Sequence, residues 1–169
     1  MSRNVRLLQC APEDVFEVLG DGWLFPSWVV GASRMREVDP SWPRAGSRLH
    51  HSFGVWPVLI NDATLVEEYR PPHRMVMRAR GWPIGEARVT LDVKPRGDST
   101  VVRIQEEAVA GPGRFVPAPL LDLGLHWRNA ETLHRLAYLA EGRAEGRAEA
   151  PSRATTAERE RGSDEASAR

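Results

Sequence analysis

Cysteine is nearly absent from this 169-residue chain: Cys10 stands alone, so neither an internal disulfide nor a multi-cysteine zinc site can form. Its neighbours Leu8 and Val15 mark it as a buried thiol rather than a reactive one. Long apolar runs are also missing, and none approaches the roughly 20 residues that a membrane-spanning helix needs. The opening stretch meets Glu13 and Asp14 before any apolar signal core can form, so a secretion signal is not expected and a cytoplasmic location is. Neither sign of charge is in excess, because the formal net charge is zero. With no field to steer a polyanion, nucleic acid is not an expected partner, nor is membrane insertion. Lysine is confined to Lys94; arginine carries the remaining basic charge, a bias that fits genomic base composition and says nothing of function. The chain contains no GxSxG elbow, no P-loop, no GxGxxG after a strand and no HExxH, so no cofactor is expected. His51, Ser52 and Asp62 have the residue types of a catalytic triad, but their spacing does not align a nucleophile with a base. A metal held by His51, His126 and Glu106 would need all three to converge on one ion, and sequence spacing does not support that.

Hydrophobic residues make up 41% and charged residues 27%, the balance of a water-soluble globule. The length suits one domain plus a tail, since domains cluster at roughly 100 to 150 residues. The boundary falls near 142: residues 143–169 lose large apolar side chains and read as a disordered, charge-balanced tail. The EGRAEGRAE repeat offers Glu and Arg pairs at i,i+4 that would prolong a helix, against which Gly142 and Gly146 work.

Within residues 1–142 the pattern changes along the chain. Arg3 to Gln9 reads as a strand, and Ala11-Pro12-Glu13-Asp14 as a first helical turn. Val15 to Leu19 and then Trp23 to Val29 predict two short helices that meet as a latch. From Ser33 to Val109 turn signals recur between alternating segments, clearest at Glu86 to Val93, where Ala87, Val89, Leu91 and Val93 share one face. One dry face and one wet face describe a half-covered antiparallel sheet, with Arg88–Val93 and Val101–Gln105 paired as a hairpin. Leu120 to Ala140 then repeats apolar residues at helical spacing. A sheet accompanied by one long helix must bury its dry face against that helix, which predicts a two-layer α+β domain.

That order, with Ala11-Pro12-Glu13-Asp14-Val15-Phe16 leading to Trp23 through Trp28, resembles the START-like SRPBCC superfamily, most closely its polyketide cyclase/dehydrase and lipid-transport branch. Ala45-Gly46-Ser47-Arg48-Leu49, the segment Val66 to Met75, the segment Gly97 to Val102 and the closing Asn129 to Leu136 match as well. The resemblance covers residues 1 to about 142. It implies a helix-grip fold: a curved antiparallel sheet of about seven strands around a long C-terminal helix, with two short helices after the first strand. It also implies a bacterial protein that takes a hydrophobic small-molecule ligand, namely a polyketide, lipid or aromatic metabolite. Motifs of this kind are specific for a fold rather than for a reaction, because the superfamily spans carriers, receptors and cyclases.

The expected site is an apolar cavity between sheet and helix. Trp23, Phe25, Trp28, Phe53, Trp56, Met77, Trp82 and Leu133 are candidates for its walls and rim, each with ordinary core packing as the plain alternative. Polar residues on dry faces are more telling. His51 shares a strand face with Leu49 and Phe53, Glu106 follows Val102 and Ile104 inward, and His126 and Asn129 lie near the helical stripe of Leu133 and Leu136. His51, Glu106 and His126 could polarise a carbonyl or move a proton, making them the catalytic candidates if the protein is an aromatase/cyclase or dehydratase. A carrier needs only the cavity, and a protein-interaction groove is a third possibility. Monomer and homodimer both remain open.

Overall fold

The computed structural model describes residues 2–55, 58–81, 85–111 and 118–167. Strand β1 (Ser2–Leu8) leads into helix α1 (Pro12–Gly20), where Pro12 occupies a first-turn position that needs no N–H. The Asp14 carboxylate accepts the Ala11 amide at 2.9 Å and so satisfies one of the unpaired donors at that helix start. A single 3₁₀ turn (Gly22–Leu24) and the four-residue α2 (Phe25–Trp28) complete the pair of short helical segments. Strands β2 (Ala32–Val38), β3 (Arg48–Val55), β4 (Val58–Arg70), β5 (Arg74–Gly81), β6 (Gly85–Arg96) and β7 (Ser99–Ala110) then run as a meander. All pair antiparallel in one seven-stranded sheet of order β1-β7-β6-β5-β4-β3-β2, so the chain's first strand closes against its last. Helix α3 (Ala118–Ser167) covers the concave face.

Both sides of the sheet follow the two-residue period of a strand. On the convex side, charges pair across strands: Glu67 accepts from Arg78 at 2.6 Å and from Arg88 at 2.8 Å, and Asp92 accepts from Arg74 at 2.8 Å and Arg103 at 2.6 Å. On the concave side, Leu49, Val66, Leu91, Val93, Val102 and Ile104 are buried against Leu133, Leu136, Ala137 and Ala140 of α3. Strand register arranges this inner face in rows. Met75, Leu91 and Ile104 lie side by side across β5, β6 and β7; Met77, Val89 and Glu106 form the next row; Ala79, Ala87 and Ala108 form the one after. Side chains therefore shrink from one end of the concave face to the other. The large end packs solid, and the alanine end does not reach the helix.

The helix does not stop at the expected boundary of 142. α3 continues to Ser167, and the stretch just past 142 is tied to α1: Arg147 pairs with Asp14 at 2.6 Å and Glu17 at 2.7 Å, and Arg143 approaches Asp21 at 3.5 Å. Composition reports only that the segment lacks apolar surface. It does not reveal that a buried carboxylate on α1 meets the guanidinium of Arg147, more than one helical turn beyond Gly142.

Candidate ligand-binding site

Where the alanine row leaves space, a partly open cavity of about 190 Å³ lies between the sheet, α2 and α3. That is well above the roughly 10 to 15 Å³ a single water requires. Its surface is mostly apolar, built from Phe25 and Trp28 of α2, Met77 and Ala79 of β5, and Ile104 and Ala108 of β7 among others. Phe25 meets Trp28 edge-on at 5.4 Å between ring centroids and lies 5.1 Å from the His51 ring. Helix α3 contributes Leu125, Arg128, Asn129 and Thr132, the i, i+3, i+4, i+7 row of one flank.

Of the residues expected from sequence, Phe25, Trp28, His51, Phe53, Met77, Glu106 and Asn129 line this one cavity. Three others do not. Trp23 is 61% exposed: Gly22 is pressed so closely on Leu49 and Val38 that an added Cβ would sit 2.7 Å from the Leu49 side chain, and the tight turn sends the next side chain outward. Leu133 is buried in the packed core and not at the cavity. His126 is exposed; at about 100° per residue it falls on the opposite flank of the buried stripe from Leu125 and Thr132, and its carbonyl accepts the Asn4 side chain at 3.0 Å. Trp56 and Trp82 lie outside the described residues.

Polar groups in the cavity fall into two sets. Those with partners include Glu106, whose carboxylate accepts a charge-assisted hydrogen bond from Arg128, and Thr132, whose hydroxyl accepts the Val30 amide at 3.4 Å. His51 Nε2 shares a hydrogen bond with the Thr64 hydroxyl at 3.0 Å. Arg128 and Thr64 were not singled out from sequence, although an inward carboxylate at Glu106 demands a cation and Arg128 is the basic residue beside Asn129 on the inward flank. The second set comprises two buried atoms with no hydrogen-bond partner among the described residues: His51 Nδ1 and Asn129 Nδ2. Both belong to cavity-lining side chains, and an unpaired buried polar atom costs about 1 to 3 kcal/mol.

Burial pulls the His51 imidazole down from 6.5 to about 4, with the Ser52 backbone opposing and Arg36 and His50 assisting, so the ring is neutral at pH 7. The unfolded ring accepts a proton near 6.5 while the folded ring refuses one until about 4, so in that window protons favour the unfolded chain. This part of the stability is fully present above pH 6.5 and falls by up to about 1.4 kcal/mol per pH unit toward pH 4. Urea midpoints compared between neutral pH and about pH 5 should drop less in His51→Gln than in the parent chain; equal drops would rule out His51 as the cause. Asp62, in register with His51 across β3 and β4, is likewise pushed above the usual carboxylate range by burial. Burial, aided by Asp14 and Glu141, pushes the Cys10 thiol up to about 11, which keeps it protonated and inert.

A curved sheet, a covering helix and an apolar hollow holding a few polar groups define a cup with room for a small molecule. The chain belongs to the polyketide cyclase / dehydrase and lipid transport family, whose model matches residues 3–141. Solved structures agree in fold. Protein NE0264 from Nitrosomonas europaea superimposes with a TM-score of 0.65 at 16% identity, covering 83% of this chain and 94% of its own. Protein CV1439 from Chromobacterium violaceum gives 0.60 at 21% identity, with coverages of 82% and 96%. DynU16, a putative protein in the dynemicin biosynthetic locus, gives 0.62 at 20% identity; 83% of this chain is covered but only 46% of that one, so this chain spans about half its length. No curated protein matches the chain in sequence. Among the described residues, no helix is long and apolar enough to cross a membrane.

Proposed function

We propose that this protein binds a hydrophobic small molecule, such as a polyketide, lipid or aromatic metabolite, in the cavity between the sheet and α3, as a cytoplasmic carrier or binding protein. The observation that carries the reading is the mismatch between the alanine row and α3, which leaves an apolar hollow within an otherwise close-packed core. Voids of that size are rare in domain interiors and leave their lining atoms without contacts, so a guest there gains both desolvation and dispersion. The family supports ligand binding of this kind.

An acid–base enzyme working in the same cavity is less well supported. Glu106 is already engaged by Arg128, His51 is neutral and held by Thr64, and His126 is not at the cavity. His51, held down at about 4 by burial, is not poised to exchange a proton near neutrality, which general acid–base catalysis requires.

Titrating the purified protein with 2-ethylnaphthalene and following tryptophan fluorescence tests the binding role, because Trp28 is buried at the cavity wall. Saturable one-to-one binding with Kd on the order of 10 µM is expected for a guest of this size. A linear response without saturation would remove the proposal.

A further inference from the structure

We infer that the cavity selects an uncharged ligand bearing a ketone, ester or quinone oxygen over the corresponding carboxylate, with the Asn129 amide as the anchoring group. This rests on the binding role proposed above and narrows it to a ligand class.

Charge compensation is the first support. Among the described residues, two anionic side chains line the cavity and both are matched: Glu106 by Arg128, and Glu86 by Arg80 at 3.1 Å and Arg78 at 3.7 Å. Both lining arginines are spent in those same pairs. A carboxylate entering this space would lose its hydration and find no unmatched cation among the described lining residues, while an ammonium would find no unmatched anion among them. Either charge is expensive to bury without a partner. The one remaining titratable group among the described lining residues, His51, is neutral at pH 7. Only an uncharged molecule enters without that penalty.

The second support is the residue of unmet hydrogen bonding. Asn129 is 1% exposed, lies on the inward flank of α3 and keeps a side-chain N–H₂ that no described residue accepts. His51, 3% exposed on the facing strand, keeps Nδ1 unpaired. A hydrocarbon guest would leave both as they are. A ligand oxygen placed against Asn129 satisfies the amide without bringing a charge.

Three probes of nearly equal shape separate these possibilities: 2-acetylnaphthalene, 2-ethylnaphthalene and 2-naphthoate, each titrated at pH 7.5 with the full chain. The ketone should bind about five- to tenfold tighter than the hydrocarbon, the worth of one net hydrogen bond, and the carboxylate at least about fiftyfold weaker than the ketone. Asn129→Leu should abolish the ketone's advantage, so that the ketone binds no tighter than the hydrocarbon in that variant. Glu106→Gln, which frees Arg128 from its counter-charge and barely changes shape, should raise naphthoate affinity about tenfold. Ketone and hydrocarbon binding equally, or naphthoate binding as tightly as the ketone, overturns this inference while leaving the binding role intact. Failure of all three probes, the hydrocarbon included, overturns the binding role and this inference with it.

Discussion

Replacing Ala87 by phenylalanine should weaken 2-ethylnaphthalene binding about thirtyfold while leaving the melting temperature unchanged or slightly raised. Ala87 lies at the centre of the alanine row, flanked in register by Ala79 and Ala108, and its methyl borders the hollow. A phenyl ring there occupies volume that the guest would use. Losing contact with two or three ligand carbons, at about 0.8 kcal/mol each, amounts to roughly 2 kcal/mol, or about thirtyfold in Kd. In a packed core the same change would cost about 1 to 3 kcal/mol through overpacking, so the two responses together separate a hollow from a filled interior. Undiminished binding accompanied by strong destabilisation would mean that the guest sits elsewhere and that Ala87 is packed on all sides.

The second large effect concerns the ion pair inside the cavity wall. Arg128→Met should destabilise the protein by on the order of 3 kcal/mol at pH 7, because Glu106, 5% exposed, would be left as a buried charge without a counter-ion. The Arg128 side chain retains 29% exposure, so solvent screens part of the loss and the upper end of the usual range is not reached. Adding Glu106→Gln to Arg128→Met removes the orphaned charge and should recover most of the stability. The double-mutant cycle then reports a coupling well above that of a surface pair. Chemical denaturation of the four proteins provides the measurement; a loss below about 0.5 kcal/mol in Arg128→Met would place the pair among exposed, inconsequential bridges.

The fold was largely legible because its signals are local. Pro12 with two acids announces α1, and alternation at Val102, Ile104 and Glu106 identifies the buried face of β7 and places Glu106 on it. Leu49, His51 and Phe53 were readable on β3 in the same way. What escaped depends on relations between strands or on turn geometry. A lone alanine in β5, β6 or β7 signifies nothing until register lines three of them up, so the feature that creates the hollow is invisible in any one strand. Arg128 gains its meaning only when Glu106 faces it across the cavity. Trp23 was misplaced because apolarity suggests burial, whereas the contact is made by its neighbour Gly22, which alone fits against Leu49. For His126 a helical stripe was resolved, but not which flank of it borders the cavity and which faces the solvent beside β1.

Side-chain methyl NMR of the protein with and without 2-ethylnaphthalene tests the central claim most directly, since it reports where a guest lodges as well as whether it does. Shifts should concentrate at Ala79, Ala87, Ala108, Ile104 and Leu125, with the packed row at Leu91 and Leu136 little changed. Perturbations centred instead on the exposed cleft of Trp23 and Trp42, or spread thinly with no focus, would contradict a guest held between the sheet and its long helix.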